Sequence, residues 1–203
     1  MSTPRPRRPQ VPMAQRREEL TEAALRVMGR DGVSALTTRA VAVEAGVPHG
    51  SVHYAFSGKH GLLKATIAAD SDSAVRLFES VATQGATPAE VLERAFREYT
   101  DRVVADPETE LVQQELTLMA VRDPSLGALV AEATTVYRES LGRLLTDLAD
   151  QTDQSWDAPV PIIVEQLLGL LFGITVMWLL DRDEPLLREA LADAAKATAN
   201  RLA

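Results

Sequence analysis

Residues 36–62, LTTRAVAVEAGVPHGSVHYAFSGKHGL, have the pattern of two short helices joined by a tight turn. Ala42 is small, so a second helix can approach the first closely. Gly46 stands where the turn needs a positive φ, which glycine adopts without steric cost. Val52 is an apolar anchor that holds the second helix in place. Because such a helix-turn-helix places its second helix in the DNA major groove, this stretch predicts a DNA-binding protein.

Composition narrows the class of the protein further. The chain has 203 residues, of which 46% are hydrophobic, enough for one large domain or two small ones. It has no cysteine, which excludes disulfides and thiolate chemistry. The first twelve residues hold four prolines and three arginines with no apolar run. That composition argues against a secretory signal, and we expect a cytoplasmic protein without a membrane partner.

Charge is distributed unevenly along the chain. Residues 1–60 carry 9 Lys/Arg and 5 Asp/Glu, a net charge of +4, whereas residues 61–203 carry 12 and 24, a net of −12. Residues 1–60, called the head below, are thus basic, and the remainder is acidic. This distribution is typical of a protein that binds phosphates with one end only. A chance fluctuation of charge is the plainer alternative.

Apolar residues recur at helical spacing from about residue 13 to the end, and no stretch has strand periodicity. The pattern predicts nine helices and an all-α fold. We expect a disordered basic arm at 1–12, a three-helix helix-turn-helix domain at 13–60 and a helical effector-binding and dimerisation domain at 61–203. The predicted helices, in order, cover residues 13–30, 37–45, 49–56, a long stretch from 57, one after Pro88, 107–122, one from 124, 161–180 and 184–202.

The eighth predicted helix contains the most apolar stretch, LLGLLFGITVMWLL at 167–180. A membrane span needs about 20 such residues, so 14 favour a buried core helix. Gly169 and Gly173 share one face, and small residues four apart let another helix come close. We expect this face, with Leu187 and Leu191 of the ninth helix, to pack against a second subunit. Close packing within the monomer is the alternative.

With these residues in hand, the head resembles the DNA-binding domain of the TetR family of bacterial transcriptional regulators. The resemblance covers about residues 13–68 and is carried, in order, by Thr37, Thr38, Ala42, Gly46, Val47, Val52, His53, Tyr54, Phe56, Lys59, Leu62 and Leu63. It implies a homodimer on a palindromic operator, released when a small-molecule effector enters the C-terminal domain. Ala55, Gly58 and His60 depart from residues that are common in the family at those positions.

The predicted DNA contacts lie on the second and third helices and at the start of the fourth. Thr38, Arg39, Tyr54 and Lys59 are expected to contact the phosphate backbone, which positions the protein. Base edges are expected to face His49, Gly50, Ser51 and His53. Thr37 is expected to cap the second helix instead.

Two further features of the head have open readings. His49 and His53 are spaced i, i+4, which could suit a metal, but no third ligand is near in sequence, so no metal site is predicted. Arg5, Arg7 and Arg8 would reach the minor groove as a flexible arm, or form a solvated tail without a role.

The effector pocket is predicted from large or polar side chains on the sixth, seventh and eighth helices, because helix bundles hold ligands between such helices. These residues are Gln114, Met119, Tyr137, Phe172, Met177 and Trp178. The alternative for each is an ordinary core residue.

Three other functions compete with a repressor. An activator would have the same sequence, because the difference lies in where the operator stands relative to the promoter. A protein-binding module that has lost DNA binding is suggested by Ala55 and Gly58. An enzyme is disfavoured, since cysteine is absent and every histidine lies in the head. No catalytic residue and no cofactor are predicted.

Overall fold

The computed structural model describes residues 12–81 and 86–203, so residues 1–11 of the predicted basic arm, with Arg5, Arg7 and Arg8, lie outside the described residues. Within these ranges the chain is all-α, as predicted. The helices are α1 (Met13–Asp31), α2 (Thr38–Glu44), α3 (His49–Phe56), α4 (Lys59–Ser80), α5 (Pro88–Ala105), α6 (Pro107–Ala120), α7 (Pro124–Thr152), α8 (Val160–Asp181) and α9 (Glu184–Ala199), with a short 3-10 turn at Val33–Ala35.

The chain divides into two compact units within α4, between Thr66 and Ile67. The sequence predicts this boundary after residue 60. The first unit contains α1, α2, α3 and the start of α4. The second contains the remainder of α4 and α5 to α9.

The first unit has the helix-turn-helix that the sequence predicts. Thr37 caps α2, its side-chain oxygen accepting a hydrogen bond from the Ala40 amide at 3.0 Å. Gly46 has a φ of +63°, so the predicted left-handed conformation of the turn is confirmed. Ala42 and Val52 are buried, which lets α3 pack closely on α2.

Ion pairs fasten α2 to α1. Glu44 accepts hydrogen bonds from Arg26 at 3.1 Å and from Arg30 at 3.0 Å. These bonds, first that from Arg30, lower the pKa of Glu44 below its usual range. The helices are thus aligned at the surface as well as in the core.

The corner between α3 and α4 is tight. Ser57 and Gly58 both have positive φ, 55° and 112°, and α4 begins at Lys59, slightly later than the start at Ser57 or Gly58 that the sequence favours. The first turn of α4 lies directly against the end of α3. A Cβ added to Gly61 would lie 1.9 Å from the carbonyl oxygen of Phe56. Glycine is therefore required at this position.

The core of the second unit is built from α5, α7, α8 and α9. Its largest fully buried side chains include Leu92, Leu141, Leu145, Ile163 and Leu191. The buried apolar residues of α5, and those of α7 from Leu141 onward, lie in this core.

Helix α8 is only partly covered by its own protomer. By length and composition it could cross a bilayer, yet a third of its most apolar 18-residue window is buried inside the structure. Ile162, Met177 and Leu180 are 50%, 61% and 76% exposed. The sequence-based expectation that α8 needs cover beyond its own monomer agrees with this exposure.

The α3–α4 corner generates a stability prediction. Gly61→Ala should lower the free energy of unfolding by about 1–3 kcal/mol, because its methyl group meets backbone that no side-chain rotation can move. Gly50→Ala is the matched control, since a Cβ there has nothing within 4 Å. Alanine at that α3 position should leave stability unchanged or raise it by up to about 1 kcal/mol. Urea unfolding followed by circular dichroism measures both, and equal stability of the two variants would contradict the proposed clash.

Candidate functional site

The predicted DNA contacts form a surface on the first unit that its own core does not use. Thr38 and Ser51 are half-buried, and the other members of the set are exposed. We call this set the α3 surface; it consists of Thr38, Arg39, His49, Gly50, Ser51, His53, Tyr54 and Lys59.

Polar side chains connect α2 to α3 across this surface. The hydroxyl of Thr38 lies 2.9 Å from Nε2 of His49, and either atom can donate, depending on the histidine tautomer. The ring of His49 meets that of His53 edge to face, with centroids 4.8 Å apart. Thr38, His49 and His53 therefore form one continuous polar strip from the start of α2 along α3.

The C-terminal part of α3 and the start of α4 add an aromatic ring and a cation. Tyr54 is 80% exposed, which is unusual for a tyrosine that serves only packing. Lys59 is the exposed first residue of α4, where free backbone N–H groups favour an anion. A Cβ at Gly50 would meet nothing, so α3 is smooth at that point.

Ala55 does not belong to this surface. It is 5% exposed, and its carbonyl accepts a hydrogen bond from Arg17. The guanidinium of Arg17 also lies 4.6 Å from the centre of the Phe56 ring. The apolar side chain of Ala55 therefore packs inside the unit, and its departure from the common residue leaves the exposed surface intact.

A cavity of about 220 Å³ lies in the second unit, between α4, α5, α6, α7 and α8. Most of its wall is apolar. The apolar lining includes Ile67, Leu77, Phe78, Leu116, Leu168 and Phe172.

One side of the cavity carries a connected set of charged and polar groups. Arg102 donates to Asp70 at 3.1 Å and to Glu110 at 3.5 Å. Tyr137 donates to the second oxygen of Asp70, and Gln114 donates to Glu110 at 3.1 Å. These five residues are called the polar cluster below.

Burial and neighbouring charges shift the pKa values of the polar cluster. It raises the pKa of Glu110, and Arg102 offsets this only in part. Burial would lower the pKa of Arg102, but Asp70 and then Glu110 raise it above its usual value. The pKa of Tyr137 is raised, first by burial and then by Asp70, so its hydroxyl stays protonated as a donor.

Three buried side-chain atoms of residues that line the cavity have no hydrogen-bond partner among the described residues. They are Nε of Arg102, Nε2 of Gln113 and Oε1 of Gln114. An unpaired buried polar atom costs about 1–3 kcal/mol. The cavity wall thus has unused capacity to bind a polar molecule.

Sequence comparison assigns the first unit to a family. Residues 20–66 match the family described as bacterial regulatory proteins, tetR family. A curated relative, the HTH-type nicotine-responsive transcriptional repressor HdnoR of Paenarthrobacter nicotinovorans, is 27% identical over 170 residues, covering 84% of this chain and 87% of the relative. Residues 20–66 therefore form a TetR-type DNA-binding domain. The chain is a DNA-binding transcriptional regulator.

Solved TetR-type structures share the fold of the whole chain. A TetR-family regulator from Rhodococcus sp. superposes with a TM-score of 0.81 at 22% identity, covering 92% of this chain and 99% of that one. FadR from Bacillus subtilis, solved in complex with stearoyl-CoA, superposes with a TM-score of 0.75 at 18% identity, covering 88% and 96%. The helical second unit is therefore the C-terminal domain of a TetR fold.

The cavity in this TetR-type domain includes only part of the predicted pocket. Gln114, Tyr137 and Phe172 line it. Met177 is instead 61% exposed and Met119 39% exposed. Trp178 is buried in the core, with Arg182 stacked 4.6 Å from its ring centre. The three helices that the sequence names all border the cavity, together with α4 and α5, but helical spacing did not decide which side of each helix faces it.

Sequence reasoning missed the charged members of the cavity wall, Asp70, Arg102 and Glu110. A signal for two of them was present. Asp70 falls among the apolar residues Ile67 and Leu77 of α4, and Arg102 follows Tyr99 by three residues on the apolar side of α5. A charge within an apolar stripe points to a buried ion pair or a ligand site. Among the described residues, no group of three or more His, Asp or Glu side chains is placed to hold a metal ion.

Proposed function

We propose that this chain is a ligand-responsive repressor that binds a palindromic operator as a homodimer and leaves it when a small molecule fills the cavity. The observation that supports DNA binding is the α3 surface, where the polar and basic side chains of the helix-turn-helix point away from its core. A separate cavity with unpaired polar atoms supports the response to a ligand. Because the operator would lie on chromosomal DNA, the proposed regulator acts in the cytoplasm.

Some residues of the α3 surface would contact phosphates, and others would contact bases. Thr38, Arg39, Tyr54 and Lys59 would contact phosphates and fix the orientation of α3. Base edges would be read by His49, Ser51 and His53, with Gly50 allowing close approach. The bond between Thr38 and His49 would hold one histidine ring in place, which restricts the bases it can address.

The proposed dimer interface uses the exposed faces of α8 and α9. Gly169 and Gly173 are both exposed, and a Cβ on either would meet nothing within the protomer. Leu187 and Leu191, which the sequence analysis assigns to the interface, are 2% and 1% exposed. They pack in the protomer's own core, because α9 turns that side toward α5. A large apolar side chain that α9 does expose is that of Leu186, 57% exposed.

A curated relative described as nicotine-responsive supports a small-molecule effector for this chain as well. At 27% identity the effector itself need not be shared. Nicotine is therefore one of the first compounds to test, beside metabolites of the genes that the operator controls.

Selection from a random double-stranded DNA pool tests the proposed function. We expect the purified protein to enrich a palindrome whose half-sites lie about one helical turn apart, since a two-fold dimer presents α3 twice. Enrichment of a single half-site would contradict the dimer. No enrichment even at low salt, repeated after unfolding and refolding to remove any bound inducer, would contradict DNA binding.

Lys59 should contribute one phosphate contact. Lys59→Ala should weaken binding to all sequences and reduce the slope of log K against log salt by about 1, because one counterion fewer is released. Arg76→Ala is the charge-matched control, since Arg76 is an exposed cation of the second unit. Fluorescence anisotropy at a series of salt concentrations measures both slopes. An unchanged slope for Lys59→Ala would remove Lys59 from the phosphate contacts.

Gly173 tests the proposed interface. Gly173→Glu should convert the protein from twice the chain mass of 22.0 kDa to a single chain, because a carboxylate would replace open space at the α8 contact. Leu118→Glu serves as the control, since Leu118 is 62% exposed on α6 and is not part of the proposed interface. Light scattering after gel filtration gives the masses. A Gly173→Glu protein that keeps the double mass would place the interface elsewhere.

A further inference from the structure

We propose that the cavity of the second unit selects an organic cation: a protonated amine on a small apolar or aromatic body. This proposal rests on the proposed function and names the chemical class of the effector. Binding to the cavity can be measured without DNA, so a failure of the cation site can be distinguished from a failure of the proposed function.

The charges at the cavity do not balance. Its lining contains two carboxylates, Asp70 and Glu110, and one cation, Arg102. Arg102 faces both carboxylates at once. When both carboxylates are ionised, the wall carries one negative charge that no other lining residue neutralises.

Glu110 is the less well neutralised of the two carboxylates. The distance from its carboxylate to the Arg102 guanidinium is 3.5 Å, whereas that from Asp70 is 3.1 Å. Each carboxylate also accepts one hydrogen bond from a neutral donor, Asp70 from Tyr137 and Glu110 from Gln114. Its side chain is 7% exposed, so water screens it little. Burial accordingly raises the pKa of Glu110. A second cation beside Glu110 would stabilise its ionised form.

Neighbouring groups suit the rest of an ammonium ligand. Oε1 of Gln114 is a buried acceptor without a partner, while the Nε2 atom of the same amide is held by Glu110. Two N–H groups of an ammonium head could therefore donate, one to Gln114 and one to Glu110. Phe78, Tyr99 and Phe172 supply aromatic surface for the apolar body and for cation–π contact.

An anionic ligand fits this wall less well. Nε of Arg102 and Nε2 of Gln113 are unpaired donors that an acceptor atom could use. A carboxylate placed there would lie beside Asp70 and Glu110 in a mostly apolar cavity, where like charges repel strongly. A neutral acceptor atom elsewhere on the cation would satisfy Gln113 without that repulsion.

The test uses three ligands with one body and different heads: 4-phenylbutylamine, 4-phenylbutanol and 4-phenylbutyrate. Calorimetric titration of the full chain at neutral pH measures each affinity. We expect the amine to bind about tenfold to hundredfold more tightly than the alcohol, the gain typical of hydrogen bonds to charged groups. Equal affinity, preference for the carboxylate, or no amine binding at millimolar concentration would overturn the proposal.

Two substitutions tie the preference to the polar cluster. Glu110→Gln keeps the shape and removes the excess charge, so the amine should lose most of its advantage over the alcohol. Asp70→Asn provides a second test if the first variant folds poorly. Glu108→Gln is the control, because it removes the same charge from an exposed residue of α6. An amine preference that survives both cluster substitutions would overturn the assignment.

The effector role is measured separately. The amine is added to the protein bound to its selected DNA, and release is followed by anisotropy. Amine-selective binding without release supports the cation site and contradicts its role as the regulatory site. Amine-selective binding by a protein that enriches no DNA likewise supports the cation site and contradicts the proposed regulator.

Discussion

Close approach of backbones in the first unit is the constraint on which DNA recognition depends. The carbonyl of Phe56 occupies the space that a side chain at position 61 would need, and the chain turns sharply at Gly46 and Gly58. Small residues at these points let α1, α2, α3 and the start of α4 bury a compact core. Because that core uses only one side of α3, the polar side chains of the other side remain free for a partner.

In the second unit, by contrast, charged and polar side chains are buried in the interior. Burying two carboxylates and a guanidinium costs several kcal/mol per ion unless each is paired and hydrogen-bonded. Arg102, Tyr137 and Gln114 provide much of that compensation, but the unpaired Nε of Arg102 shows that it is incomplete. A hydrophobic cluster of similar volume would be at least as stable. Retaining ions here is therefore understandable if a ligand completes their interactions, and the mostly apolar wall makes each such interaction stronger.

Exposed apolar surface is the third feature that connects structure to function. On α8, large side chains and two glycines lie side by side without cover from the protomer. Apolar surface of this kind supports the proposed self-association, because two copies would present the same face to each other. The same two-fold axis would then relate the two copies of α3.

The sequence by itself determined where the helices lie and how the helix-turn-helix of the first unit is built. Local rules suffice there: Thr37 caps, Gly46 turns, and Ala42 and Val52 pack between elements that are adjacent in the chain. Only the tertiary structure decided which side of α8 and α9 points inward, burying Leu187 and Leu191 and leaving Met177 exposed. It alone brought Asp70, Arg102 and Glu110 together from three helices. Helical periodicity gives the angle between residues of one helix, but the rotation of that helix against distant neighbours is set by packing, which no local pattern encodes.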